Sequence, residues 1–125
     1  MKVLLDAGAL IAIERDDRRL VALIKLARRN GAVLMSTTGV VAQVWRGGSR
    51  QALLARAIPT IEIRPFLLDD AKRAGELLGA ADTSDVIDAA LILLATPGDQ
   101  IVTSDLDDMV HLGSVRSVAV KVTHV

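Results

Sequence analysis

The sequence predicts an α/β domain with a mostly parallel central sheet of about five strands, flanked by helices. Short aliphatic runs alternate with longer segments of helical periodicity along the whole chain. Alternation of this kind is typical of parallel sheets with right-handed crossovers. The chain has 125 residues and no internal repeat, linker or low-complexity segment. We therefore expect residues 1–125 to form one domain with a single core.

The strands are predicted from short apolar runs bounded by turn or capping residues. Residues 2–6 (KVLLD) and 32–36 (AVLMS) are buried runs, residues 60–65 (TIEIRP) alternate, and residues 100–104 (QIVTS) follow Pro97-Gly98. The pattern VAVKV predicts a last strand at 118–122.

The helices are predicted from apolar periodicity and capping residues. The first begins at Asp6, and residues 17–29 form an amphipathic second helix that Asn30-Gly31 ends. The others are a helix through 39–45 with N-caps among 36–38, helices at 50–57 and 68–79, one entered through Thr83 or Ser84, and a short one at 105–113.

Composition limits the function classes. Apolar residues make up 51% of the chain and aromatic residues 2%, so the core is aliphatic, yet no window has the roughly 18–20 apolar residues of a membrane span. Asp6 and Glu14 interrupt the N-terminal apolar run, unlike a secretory signal. The chain has no cysteine and zero net charge, which argues against a thiolate metal site and a uniformly basic surface. We expect a cytoplasmic protein without a membrane partner.

One carboxylate stands out because its surroundings are apolar. Asp88 lies in TSDVIDAALILLA (83–95), where nearly every residue from 86 to 95 is Val, Ile, Leu or Ala. A buried carboxylate costs several kcal/mol unless a partner charge, hydrogen-bond donors or a metal compensates it. A buried arginine is the main alternative to a metal.

Two further acids follow predicted strands. Asp6 ends the first strand and Asp105 follows IVTS, and ligands of open parallel sheets bind beyond the carboxyl ends of strands. If both meet Asp88, their repulsion requires a cation, and oxygen ligands alone favour Mg²⁺ or Mn²⁺. Such ions support hydrolysis of phosphodiesters.

The segments VLLDAGALIA, STTGVVAQVWRGG, TSDVIDAALILLA and IVTSDLDDM resemble PIN domains, and more narrowly the VapC-type ribonuclease toxins of type II toxin–antitoxin pairs. The resemblance spans essentially the whole chain. It implies a PIN-like fold, an endoribonuclease that needs Mg²⁺ or Mn²⁺, an RNA substrate, a cognate antitoxin and a homodimer. By motif it assigns Asp6, Asp88 and Asp105 as acidic ligands.

The chain departs from the family pattern at Gln43, where that pattern usually has Glu. The amide removes one negative charge, and we expect Gln43 to support the site through its neutral oxygen. Asp85, three residues before Asp88, shares a helix face with it and is a further candidate ligand.

Each acid also has a structural interpretation. Asp6 and Asp105 are suitable N-caps, and Asp85 suits the first turn of a helix. Asp107 and Asp108 are expected to be solvated first-turn acids.

Candidate RNA contacts are less specific. Arg15, Arg46, Thr103 and Ser104 are predicted to contact the substrate, and the only tryptophan, Trp45, suits either RNA stacking or a protein interface.

Two other functions are weighed against the nuclease. One is a PIN fold that binds RNA or an antitoxin without cutting, because Gln43 has replaced an acid. The other is a phospho-acceptor receiver domain, but strand one ends in a single Asp6 and no acid follows TIEIRP.

Overall fold

A computed structural model describes all 125 residues and contains one five-stranded sheet. The strands are β1 (Lys2–Leu5), β2 (Val33–Thr37), β3 (Glu62–Arg64), β4 (Gln100–Thr103) and β5 (Lys121–His124). They are ordered β3-β2-β1-β4-β5, and every neighbouring pair is parallel. The predicted α/β class is confirmed, and the sheet is parallel throughout.

Seven α-helices cover the two faces of the sheet. They are α1 (Ala7–Glu14), α2 (Arg18–Arg29), α3 (Thr38–Val44), α4 (Ala52–Ala57), α5 (Leu68–Ala81), α6 (Val86–Ile92) and α7 (Leu106–Arg116). Short 3₁₀ turns at Ser49–Gln51 and Ile58–Thr60 flank α4. The longest helix has 14 residues, and no helix meets the length and hydropathy that a bilayer span requires.

The core has two aliphatic layers, one on each face of the sheet. Val3 and Leu5 of β1 pack with residues of α1 to α4, while Leu4 packs with residues of α5 to α7. Successive side chains of a strand point to opposite faces, so a strand covered on both sides is apolar at consecutive positions. The aliphatic core predicted from composition is thus divided between two layers.

Several boundaries differ from the predicted ones. The last strand is Lys121–His124 rather than 118–122, because α7 extends to Arg116 and Ser117 then turns with a left-handed φ of 61°. Only after this turn does the chain pair with β4, in the register Gln100 to Lys121. The helix after α5 is capped by Asp85 and not entered through Thr83 or Ser84, and β3 is shorter than 60–65 because Ile58–Thr60 forms a 3₁₀ turn.

A hydrogen-bond cluster around Asp99 fastens the amino edge of the sheet. Oδ1 of Asp99 accepts from the backbone N–H of Lys2 at 2.7 Å, and Oδ2 accepts from Thr96 N and Oγ1 at 2.8 and 2.9 Å. The Lys2 ammonium lies 2.8 Å from Oδ2. Burial raises the pKa of the Asp99 carboxyl, but the hydrogen bonds from Lys2 and Thr96 outweigh it and hold the pKa at about 2.

We predict that Asp99→Ala lowers the free energy of unfolding by about 1–3 kcal/mol, because it leaves buried donors without an acceptor. The folded-state pKa lies below the ordinary 3.8, so this stabilisation is present above about pH 4 and is lost as the pH falls towards 2. Urea unfolding at several pH values measures it.

The matched control is Glu76→Ala, since Glu76 is an exposed acid on α5 without an ion pair. It should change stability by less than about 0.5 kcal/mol. Equal effects of the two substitutions at neutral pH would contradict the role assigned to Asp99.

Candidate metal centre

The site lies where the chain switches from one half of the sheet to the other. β1 has β2 and β3 on one side and β4 and β5 on the other, so the crossover connections diverge between the carboxyl ends of β1 and β4. In open parallel sheets, ligands bind at this position. Asp6 follows β1 directly, and Thr103 ends β4.

Asp6 is buried and its carboxylate is held by three donors. Oδ1 accepts from the backbone N–H of Ala9 at 2.9 Å, and thereby caps α1. Oδ2 accepts from the Thr103 hydroxyl at 2.5 Å and from the backbone N–H of Ser104 at 3.1 Å. The hydroxyl of Thr103 also accepts from the Asp105 N–H at 2.8 Å. The carboxylate is therefore fixed in position by both strand ends.

Gly8 permits this close approach of α1 to the end of β4. A Cβ atom at position 8 would overlap the side chain of Ser104, which follows β4 directly. The first turn of α1 can therefore lie against this segment only because residue 8 lacks a side chain. The contact keeps Asp6 next to Thr103 and Ser104.

Three other carboxylates converge at the start of α6 and α7. Asp85, Asp88 and Asp108 each offer an oxygen within 4.8 Å of the other two. Asp85 caps α6, with Oδ1 accepting from the Asp88 N–H at 3.0 Å, and its other oxygen is free of this bond. Asp88 is only 9% exposed, whereas Asp85 lies nearer the surface.

No basic side chain compensates these carboxylates. The two ion pairs of the protein, Lys2–Asp99 and Arg64–Glu62, lie elsewhere. Oδ2 of Asp108 is buried and accepts no hydrogen bond, while its Oδ1 has a long contact of 3.5 Å from the Thr83 hydroxyl. The arginine considered as the alternative partner of Asp88 is absent from the site.

The electrostatic consequence is a strongly perturbed acid. Burial is the main cause that raises the pKa of Asp88 to about 8, and the adjacent Asp108 carboxyl and the charges of Asp85 and Asp6 add to it. Near neutral pH the cluster therefore holds a proton in the absence of a cation. Carboxylate oxygens are the ligands that a hard divalent ion such as Mg²⁺ or Mn²⁺ prefers, and Oδ2 of Asp108 has no hydrogen-bond donor.

The cluster differs in membership from the set expected from the sequence. Asp85 and Asp88 belong to the cluster, and Asp108 is a third member that was not expected from the sequence. Asp6 is not one of the three, but its charge acts on Asp88. The expectation that Asp108 is solvated is wrong, because α7 turns its first-turn carboxylate inwards while Asp107 stays exposed. Its three-residue spacing from Asp105 was the available signal.

The remaining expected residues lie outside the cluster of three carboxylates. Asp105 is exposed and caps α7 through a 3.4 Å bond from the Asp108 N–H, and it is not one of the three convergent carboxylates. Thr103 contacts Asp6, whereas the hydroxyl of Ser104 is free of protein hydrogen bonds. Gln43, Arg15 and Arg46 are exposed and line a separate cavity.

Comparison with known proteins supports the fold. The sequence matches no protein-family model and no curated protein sequence. A chain in the crystal structure of VapBC2 from Rickettsia felis, bound to a DNA fragment from their promoter, is similar over 98% of both chains. The TM-score is 0.69 and the sequence identity is 15%. The PIN-like fold predicted from the sequence is confirmed by this similarity.

We predict that Asp88→Asn stabilises the metal-free protein at alkaline pH. The folded-state pKa of Asp88 exceeds the ordinary 3.8, so wild-type stability falls as the pH rises from about 4 and the loss is complete above about 8. The neutral amide avoids this loss. At pH 9 in a chelator, the variant should gain at least about 1 kcal/mol in the free energy of unfolding, and at pH 4 very little.

Asp107→Asn is the matched control because Asp107 is an exposed acid in the first turn of α7. Its stability difference from wild type should not grow between pH 4 and pH 9. A gain for Asp88→Asn that is equal at both pH values would refute the raised pKa.

Proposed function

We propose that the protein is a metal-dependent endoribonuclease with Mg²⁺ or Mn²⁺ as its cofactor. The observation that carries the proposal is the convergence of Asp85, Asp88 and Asp108 within 4.8 Å, without a basic partner, at the switch point of a parallel sheet. A divalent cation bound by these carboxylates would attract the negatively charged oxygens of a phosphodiester, which the carboxylates alone would repel.

In this proposal Asp88 and Asp108 hold the ion from the buried side and Asp85 from the solvent side. When bound, the ion supplies an activated water and neutralises charge on the phosphoryl oxygens. Asp6, fixed by Thr103 and Ser104, adds negative charge that favours the cation. Asp105, predicted from sequence as a ligand, orients Asp108 by capping α7, and we retain it as an outer member of the site.

We further propose that the enzyme is the toxin of a type II toxin–antitoxin pair. The support is the fold shared with a chain of VapBC2 over 98% of both chains, together with the PIN-like motifs of the sequence. A cognate antitoxin, a homodimer and a cytoplasmic location belong to this proposal. A neighbouring reading frame for a small DNA-binding protein with a basic head would support it.

The first test is cleavage. The protein should cut single-stranded RNA with Mg²⁺ or Mn²⁺ and not in a chelator, and Asp88→Asn should lower the rate by more than about 100-fold. Outer-shell groups alone cost 10- to 100-fold, so a direct ligand costs more. Electrophoresis of a labelled RNA measures it, with Asp107→Asn as the control that retains activity.

Tight Mn²⁺ binding by the wild type with no RNA cleavage would contradict the enzyme proposal. It would favour the second interpretation from the sequence, a PIN fold that binds RNA or an antitoxin and that Gln43 has deprived of catalysis.

The second test concerns the ligands individually. Asp85→Asn and Asp108→Asn should each weaken Mn²⁺ binding by about 10-fold or more, measured by calorimetry. Asn caps a helix as well as Asp does, so Asp85→Asn removes the charge and leaves the start of α6 intact.

Asp105→Asn distinguishes the two acids of α7. Because Asp105 acts through Asp108 in this proposal, the loss of its charge should weaken Mn²⁺ binding less than Asp108→Asn does. If Asp85→Asn leaves both affinity and cleavage unchanged, Asp85 is only the cap of α6.

A further inference from the structure

A polar cavity, separate from the candidate metal centre, lies between α1 and the segment that follows α3. Its volume is about 500 Å³, and only two of its eleven lining residues, Ile11 and Val44, are hydrophobic. The charged and amide side chains that line it are Glu14, Arg15, Gln43, Arg46, Arg50 and Gln51. Three guanidinium groups thus share this cavity with one carboxylate.

Two of the three arginines are free to bind a ligand. Arg15 and Arg50 are exposed, and neither makes an ion pair, even though Glu14 lines the same cavity. Arg46 is fixed instead, because its guanidinium donates to the carbonyl oxygens of Trp45 at 2.7 Å and Gln43 at 3.1 Å. The cavity therefore has an excess of positive charge that no protein group neutralises.

The loop that forms one wall is already ordered. The buried side chain of Gln51 accepts from the backbone N–H groups of Arg46 and Gly47 at 2.8 and 3.0 Å, and donates to the Val44 carbonyl at 2.8 Å. Gly47 has a φ of 69°, a conformation that glycine adopts without strain. A ligand would not have to order this loop on binding, which reduces the entropic cost.

A smaller cavity continues from the arginine cavity along α1 towards Asp6. Its volume is about 330 Å³, it shares Ile11 and Arg15 with the first cavity, and it is also lined by Gly8, Asp17 and Ser104. Ser104 donates its N–H to Asp6, so this end lies beside the Asp6 carboxylate, whose charge acts on Asp88. The eight residues of α1 extend about 12 Å, farther than adjacent phosphates of a stacked strand.

We propose that the arginine cavity binds a backbone phosphate of single-stranded RNA, at least one nucleotide away from the bond that is cut. The inference rests on the proposed nuclease function and deepens it. Guanidinium groups bind phosphate in a bidentate geometry, and Gln43 is neutral where an acid would offset one of the arginines. Substrate length would then contribute to affinity, since only a strand that follows α1 reaches both sites.

The experiment measures RNA binding in a chelator, so that no cleavage occurs. Trp45, the only tryptophan, provides a fluorescence signal because its Nε1 lies on the side of Gly47 where a Cβ atom would stand, and Gly47 lines the cavity. The ligands are a dinucleotide and an oligoribonucleotide of about ten nucleotides. The double variant Arg15→Gln/Arg50→Gln should bind the longer RNA about 10-fold more weakly, and the dependence of log K on log salt should fall by about 0.7 for a lost phosphate contact.

The control is Arg29→Gln, since Arg29 is an exposed arginine in the last turn of α2 that lines neither cavity. It should leave the affinity for the longer RNA and the salt dependence unchanged. The dinucleotide, too short to follow α1, should bind more weakly than the longer RNA. If the double variant and the control lose the same amount of affinity for the longer RNA, the proposal is wrong.

Substitution at Gln43 separates the cavity from the metal centre. Gln43→Glu adds a negative charge and should weaken binding of the longer RNA, while Gln43→Ala should have a smaller effect. If Gln43→Glu instead tightens Mn²⁺ binding and leaves RNA binding unchanged, the side chain serves the metal and the proposal is wrong.

The outcomes separate this inference from the nuclease proposal. Arginine-dependent binding by a protein that cuts no RNA would refute the nuclease and leave the phosphate site supported. Cleavage by a protein whose RNA binding is independent of Arg15 and Arg50 would refute the phosphate site alone. Arginine-dependent binding of an acidic peptide but not of RNA would also overturn it.

Discussion

Repulsion among carboxylates is the constraint on which the rest of this structure depends. Asp88 is nearly buried beside Asp85 and Asp108, with no basic side chain in range, and its pKa is raised to about 8 by burial and by those neighbours. A fold gains no stability from such an arrangement, which must be held in place by interactions elsewhere. Parallel topology brings Asp6, which follows β1, next to the segment that leads from β4 into α7, because the carboxyl ends of β1 and β4 adjoin at the switch point.

The holding interactions are distributed around the site. Asp6 is fixed by Ala9, Thr103 and Ser104, and α6 is held at both ends. Asp85 caps its first turn, and Arg116 donates to the carbonyls of Ile92 and Ala95 at its far end. At the amino edge of the sheet, Asp99 shows the opposite behaviour to Asp88, since donors surround it and its pKa is lowered to about 2. The two buried acids differ because of their partners.

Sequence patterns predicted the sheet and most helices, but only part of the site. The strands are continuous apolar runs, so periodicity and turn residues were sufficient to locate them. The last strand was misplaced because VAVKV (118–122) is the apolar run that follows the turn at Ser117, whereas pairing with β4 selects Lys121–His124. Asp108 was missed because local sequence does not determine which first-turn acid of α7 faces Asp88, since tertiary packing decides the rotation of the helix.

Gln43 shows how one neutral residue preserves the charge of a cavity. An acid at this position would offset the arginines of the cavity, which Gln43 lines with Arg15 and Arg50. The amide leaves the cavity with three guanidinium groups against Glu14 alone. In the proposed function, this positive charge attracts the RNA backbone at the arginine cavity, while the carboxylates hold the cation elsewhere. The separation of the two charges favours one orientation of the proposed RNA strand.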